Sequence, residues 1–256
     1  MIRIALLALI LAAPALAEPR ATVSLAPGWA AEGARTAGLT MTLAPGWKTY
    51  WRHPGEAGVA PQFDWTGSEN LAAVEVLWPS PIAFESYGMT MLGYERAVTL
   101  PLRLTARDPA APIRLRLNLF YGVCEDICVP ETADLTLDIP AGAQGGEPAI
   151  RAALDALPMP AGLAGVGVER CTLAGADGAR RFEGSFALPA GAAPHAAVVE
   201  GPGDAVFGAA ELHRQGDRLQ VVAELAPWGA PAWIDRAGLR VTLIGPQGAV
   251  EVGCVE

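Results

Sequence analysis

Cys124 and Cys128 enclose Glu125, Asp126 and Ile127, and this short loop carries the most specific chemistry in the chain. Two thiols at this spacing can close into a disulfide, exchange it with another protein, or capture a soft metal ion. As a staple the ring is weak. In the chain-entropy picture a five-residue loop contributes ~2 kcal/mol, against ~4.5 kcal/mol for a loop of roughly eighty residues. Exchange or metal capture therefore accounts for the pair better than stabilisation does. The remaining cysteines are Cys171 and Cys254. Of the possible pairings, Cys124–Cys128 with Cys171–Cys254 keeps each bond inside one β-rich region. The long bond, tying the first strand of the second region to its last, is the expected structural disulfide.

Charge near the loop argues for a guarded dithiol. Glu125 and Asp126 lie inside the ring and Glu131 follows closely, and negative neighbours disfavour a thiolate. No Cys-x-x-Cys opens a helix here. Lys48, Arg52 or His53 could reverse the balance in space. The competing chemistry is Cu(I) binding: two thiolates with Met89 and Met91 form a soft ligand set. A non-redox interaction module is the third reading. His195 and His213 fit no catalytic arrangement, and Trp47, Tyr50, Trp51 and Trp65 read as core packing more than as a recognition surface. No hydrolase triad motif, phosphate loop or dinucleotide fingerprint is present. No cofactor and no dedicated metal site is expected.

These residues need elements to hold them, and period-two alternation supplies strands. Ile113-Arg114-Leu115-Arg116-Leu117-Asn118-Leu119 is apolar at odd positions and polar at even ones, the pattern of a half-buried strand. Continued through Tyr121 and Val123, it puts Cys124 on the face of Arg116, Asn118 and Phe120, pointing away from the apolar core toward a partner. Leu39, Met41 and Leu43, then Val98, Leu100 and Leu102, then Leu135, Leu137 and Ile139 repeat the alternation. After the linker-like Pro140 to Gly146, Pro148 opens a brief helix carrying Ile150, Ala153, Leu154 and Leu157, which Pro158 ends. Strand patterns resume at 182–188, 196–200, 219–225, 239–244 and 249–255. The fold class is all-β: two immunoglobulin-like β-sandwich domains joined by a short helical linker. The expected boundaries are 18–142 for the sandwich bearing Cys124 and Cys128, 143–160 for the linker, and 161–256 for the second sandwich.

Arg3, the apolar run Ile4 to Ala13 and the small-x-small Ala15-Leu16-Ala17 read as a cleavable signal peptide over residues 1–17. The run is shorter than the ~20 apolar residues an anchor needs. Gly, Pro and charges interrupt every later apolar stretch, so no membrane insertion is expected. The mature chain is expected in the periplasm, where disulfides persist. With 18 Lys and Arg against 27 Asp and Glu, the chain has net charge −9, which repels nucleic acid. Its 29 Gly and 22 Pro fit a protein of many turns.

One ordered set of motifs carries a resemblance. Gly46-Trp47-Lys48-Thr49-Tyr50-Trp51-Arg52-His53-Pro54-Gly55, then Trp78-Pro79-Ser80-Pro81, then Tyr87-Gly88 and Gly93-Tyr94, then Tyr121-Gly122-Val123-Cys124 through Cys128-Val129-Pro130-Glu131-Thr132, resembles the N-terminal periplasmic domain of the thiol:disulfide interchange protein DsbD. The similarity covers roughly residues 20–140, and the two-domain extent is similar to the exported portion of ScsB proteins. The resemblance implies a protein-disulfide reductase whose Cys128 attacks a partner disulfide while Cys124 resolves the mixed disulfide. It also implies a cap loop near Phe84, Glu85 and Tyr87 that shields the pair; Ser86 stands where the family has an aromatic. The implied partners are oxidised periplasmic thiol proteins. The expected reductant is a separate membrane electron-transfer protein of the DsbD/CcdA type.

Overall fold

The computed structural model describes residues 19–31, 33–175, 180–203, 205–226 and 234–254. The proposed signal peptide lies outside the described residues. The N-terminal half consists of β1 (Ala21–Ala31), β2 (Ala34–Leu43), β3 (Lys48–Gly55), β4 (Gln62–Asp64), β5 (Leu71–Val76), β6 (Ile82–Ser86), β7 (Met89–Glu95), β8 (Ala97–Ala106), β9 (Ile113–Cys124) and β10 (Cys128–Ile139). They form two antiparallel sheets. One runs β1-β2-β8-β5 and the other β10-β9-β3-β7-β6, with β4 also pairing to β9.

Alternation sets which face of each strand is buried. Ile113, Leu115, Leu117 and Leu119 of β9 are buried, while Arg114, Arg116 and Asn118 face solvent. They meet Leu39 and Met41 of β2, Leu100, Leu102 and Leu104 of β8, and Trp51 of β3 between the sheets. Each fully buried aliphatic or aromatic side chain contributes about 1.5–3 kcal/mol relative to exposure, so the register that buries them all is strongly selected.

The helix α1 (Pro148–Asp155) begins with proline and buries Ile150 and Ala153. Gly38 of β2 makes room for it: a Cβ there would stand 2.7 Å from Ile150 Cγ1. The second sandwich follows, built from β11 (Met159–Pro160), α2 (Ala161–Ala164), β12 (Gly167–Ala174), β13 (Arg181–Ala187), β14 (Ala196–Glu200), β15 (Phe207–Gln215), β16 (Arg218–Leu225), β17 (Arg240–Gly245) and β18 (Gly248–Gly253). Its sheets run β11-β18-β17-β14 and β12-β13-β16-β15, over a core that includes Phe182, Phe186, Val221, Val241 and Val252.

The β14-β17-β18 face turned away from that core is also covered. Ala196, Val198, Ile244 and Ala249 join the core of the N-terminal sandwich. A charged clamp borders this seam. Arg52 of β3 donates from Nε and Nη2 to Glu200 at 2.8 Å each, and from Nη2 to Glu251 at 2.8 Å. Ser80 adds two polar links: its N–H donates to the Ala156 carbonyl at 2.7 Å, and its Oγ accepts from the Ala249 N–H at 3.1 Å.

Candidate functional site

Strands β9 and β10 form a hairpin whose last pair is Cys124 opposite Cys128, with Glu125, Asp126 and Ile127 as the connecting loop. The two cysteines are joined by a disulfide, with their Cα atoms 4.1 Å apart. This is close to the spacing of a non-hydrogen-bonded antiparallel pair. Cα position alone therefore brings the sulfurs together, and the ring needs no departure from the ladder.

The two cysteines differ sharply in exposure. Cys128 is exposed, whereas Cys124 is only 3% exposed. Cys124 does point away from the main core, as alternation requires. It does not reach solvent, because a second, smaller cluster covers that face. Tyr50 of β3 and Met91 of β7 are buried with it, and Val59, Phe84 and Met89 pack around them. The sequence-based expectation that Cys124 faces a partner is thus corrected: its face is right, but the β6–β7 hairpin and the segment after β3 lie over it.

Gly122 explains how this cover fits. A Cβ at Gly122 would stand 2.9 Å from both the Tyr50 ring and Val59. The missing side chain leaves the slot that Tyr50 occupies, and Tyr50 thereby reaches the cysteine pair. Its Oη lies 2.9 Å from Cys128 Sγ. A disulfide sulfur carries no hydrogen, so the phenol donates. Burial pushes the Tyr50 phenol above its ordinary value, which keeps it a donor at neutral pH. Sequence reasoning placed Tyr50 in the core and missed this contact.

The three residues proposed as a cap occupy different places. Phe84 packs on the cluster that buries Cys124. Tyr87, at the hairpin tip, has φ of 52° and is 76% exposed; its hydroxyl donates to the Asp126 carbonyl and so ties the tip to the cysteine loop. Glu85 is exposed and accepts from Thr90 Oγ1 on the facing strand at 2.9 Å. Ile127, in the loop itself, is 65% exposed.

Of the three cations that could offset the acidic loop, Lys48 alone is beside the cysteines. It pairs directly with Cys124 across β3 and β9, and its Nζ lies 5.4 Å from the centroid of the Phe84 ring. Arg52 is committed to the seam between the sandwiches. His53 sits next to it, and its pKa is lowered chiefly by burial, with the Glu200 and Arg52 charges acting in opposite directions. Glu125 and Asp126 are exposed. The side chain of Glu125 lies against Gly46, whose φ of 87° suits glycine at the turn entering β3.

Cys171 and Cys254 form the second disulfide, across 83 residues of chain. It joins β12 to the residue after β18, bridging the two sheets of the second sandwich. Among the described residues no group of three or more His, Cys, Asp or Glu could hold a metal ion. No helix among them is long and apolar enough to cross a membrane.

Comparison with known proteins gives the following. A family model described as thiol:disulfide interchange protein DsbD, N-terminal, matches residues 13–140. The crystal structure of the N-terminal periplasmic domain of ScsB from Proteus mirabilis is similar over 94% of this chain and 94% of that chain, at 26% identity and a TM-score of 0.67. The reduced N-terminal domain of Neisseria meningitidis DsbD aligns with 47% of this chain and 86% of its own, at 17% identity and a TM-score of 0.27, too loose a superposition to bear on the fold. No curated protein sequence matches the chain.

Proposed function

The chain belongs to the family of DsbD N-terminal domains of thiol:disulfide interchange proteins, and from that premise we propose that it is an exported, periplasmic protein-disulfide reductase working through Cys124 and Cys128. One observation carries the assignment of roles: Cys128 is exposed with its sulfur against Tyr50 Oη, while its partner Cys124 is buried. An attacking sulfur must be reachable by another protein, and a resolving sulfur need reach only its neighbour.

The reaction starts from the reduced pair. The Cys128 thiolate attacks one sulfur of a partner disulfide; the Cys128–partner bond forms, the partner's S–S bond breaks, and its other sulfur leaves as a thiolate. Cys124 then attacks Cys128 Sγ, restoring the intramolecular disulfide and releasing the partner's second thiol. Two electrons pass from the pair to the partner. A dithiol donor, by our reading a membrane protein of the DsbD/CcdA type, reverses the sequence to reload the pair. Tyr50 donates a hydrogen bond to the Cys128 thiolate. Phe84 shields Cys124, and Tyr87 holds the hairpin over the loop.

The experiment is an equilibrium titration in buffers of graded glutathione ratio, with free thiols counted at each point. Reversible loss and recovery of two thiols, abolished in Cys128→Ser and kept when Cys171 and Cys254 are both replaced, is the expected result. A pair that stays oxidised across the whole range, in folded protein, refutes the reading.

Cu(I) binding has one observation in its favour: Met91 and Met89 both pack at Cys124. That reading requires one tight equivalent of Cu(I) in the reduced protein, lost when both methionines become leucine. The same methionines serve the exchange reading as apolar cover for the resolving sulfur.

A further inference from the structure

We propose that Lys48 is the electrostatic partner of the resolving cysteine, its ammonium stabilising the Cys124 thiolate that must form before a partner is released. The proposal rests on the exchange reading above and adds to it the residue that makes resolution possible.

Resolution poses a physical difficulty at Cys124. In the mixed disulfide, Cys128 Sγ is bonded to the partner's sulfur. Cys124 must lose its proton to solvent, attack Cys128 Sγ, form the Cys124–Cys128 bond and expel the partner's sulfur as a thiolate, which takes up a proton. Yet Cys124 is 3% exposed among Tyr50, Met91, Phe84, Met89 and Val59, and burial disfavours a thiolate. The charged groups on the surrounding elements add to the difficulty. Glu125 and Asp126 follow Cys124 in the loop, Glu85 lies on β6, and Glu56 accepts from the Thr90 N–H of β7. Tyr50 and Tyr87 are the phenols on this face.

Lys48 is positioned to oppose all of these. Directly paired residues of antiparallel strands share a face, with Cβ atoms ~4.5–5.5 Å apart, and Lys48 pairs directly with Cys124. Its ammonium lies over Phe84 at 5.4 Å, so the ring that shields the sulfur also holds the cation nearby. Lys48 Nζ donates to the Gly46 carbonyl at 3.5 Å, and among the described residues it has no ion-pair partner. Arg52 is bound to Glu200 and Glu251, and Arg20 pairs with Glu131 and lies over the Trp47 ring. Lys48 is thus a cation with no ion-pair partner among the described residues, next to the place where a negative charge must appear.

An opposite charge within about 4–6 Å lowers a pKa by about one to three pH units. A thiol with higher pKa is less ionised but more nucleophilic when ionised, so each tenfold loss of thiolate slows attack about threefold. The test uses reduced protein and 4,4′-dithiodipyridine, an uncharged aromatic disulfide, followed by thiopyridone release in a stopped-flow mixer. The first equivalent reports attack by Cys128 and depends on reagent concentration. The second reports resolution by Cys124 and does not. In Lys48→Met, the ratio of second-phase to first-phase rate at pH 7 should fall about threefold to thirtyfold, and the pH midpoint of the second phase should rise. Lys48→Arg should restore the midpoint. A cation acting only through packing would leave that midpoint where it was. Equal midpoints in wild type and Lys48→Met, with both phases present, overturn the proposal for Lys48 alone. Absence of the first phase in the wild type overturns the exchange reading, and this proposal with it.

Discussion

Tyr50→Phe isolates a single atom of the proposed site. The ring stays in its slot beside Gly122, and only the hydroxyl 2.9 Å from Cys128 Sγ is removed. In the oxidised state that hydroxyl meets a neutral, weakly accepting sulfur, and the bond contributes on the order of 0.5 kcal/mol. In the reduced state it meets a thiolate, and hydrogen bonds to charged groups contribute ~1.5–3 kcal/mol. The difference, about 1–2.5 kcal/mol, corresponds at its lower end to roughly one pH unit on the Cys128 thiol, since one unit is ~1.4 kcal/mol. Thiolate at neutral pH falls about tenfold, and the compensating gain in nucleophilicity leaves attack about threefold slower. The assay is alkylation of the reduced protein by iodoacetamide across pH 5–10, with the site identified by mass spectrometry. An upward move of about one pH unit in the Cys128 midpoint is expected, with folding stability changed by under ~1 kcal/mol. An unmoved midpoint refutes the claim that Tyr50 supports the attacking thiolate.

Other expectations follow from the same geometry. Removing the Cys171–Cys254 bond by double alanine substitution should lower stability by up to ~4.5 kcal/mol, against ~2 kcal/mol for loss of Cys124–Cys128, because chain entropy scales with loop size; urea unfolding of the two variants compares them. Glu200→Gln removes the negative charge of the main acceptor of Arg52 and one of its two acceptor oxygens; Arg52 is 20% exposed and Glu200 16%. With both groups still partly solvated, about 1–2 kcal/mol is expected from denaturant midpoints. Burial alone would raise the Glu200 carboxyl, but the hydrogen bonds and charge of Arg52, with Arg240, hold it below its ordinary value. Its stabilising contribution is therefore present above the unfolded carboxylate range and lost as pH falls through the folded value. Wild type should lose stability faster than Glu200→Gln below about pH 4.5. Gly122→Ala puts a methyl 2.9 Å from Tyr50 and Val59; it should displace Tyr50 and slow attack by Cys128 at least as much as Tyr50→Phe does.

The parts of this structure visible in the sequence are those governed by local periodicity. β9 and β10 could be read because one face of each is buried against apolar partners and the other is wet. α1 could be read because Pro148 starts it and its buried Ile150 and Ala153 sit three residues apart. β15 was not anticipated: few of its residues are buried, so it carries little alternation. The site itself depends on long-range contacts. Tyr50 and Cys128 are 78 residues apart, and the cover over Cys124 comes from a hairpin that strand patterning does not dock. Alternation gave the face of Cys124 correctly but not what lies upon that face. The break at Gly122 was a usable signal, since a glycine interrupting a buried strand marks close approach by another group. Arg52 carried no local sign that its partners would be Glu200 and Glu251, which lie 148 and 199 residues away.

Which sulfur a partner meets decides the roles of Cys124 and Cys128. Cys124→Ala and Cys128→Ala, each expressed with export to the periplasm and compared on non-reducing gels after acid quenching, measure it directly. Cys124→Ala should accumulate adducts linked through Cys128 that dissolve on reduction, while Cys128→Ala, left with a buried thiol, should accumulate almost none. Adducts forming equally on both variants, or only through Cys124, would contradict the assignment of Cys128 as the attacking sulfur.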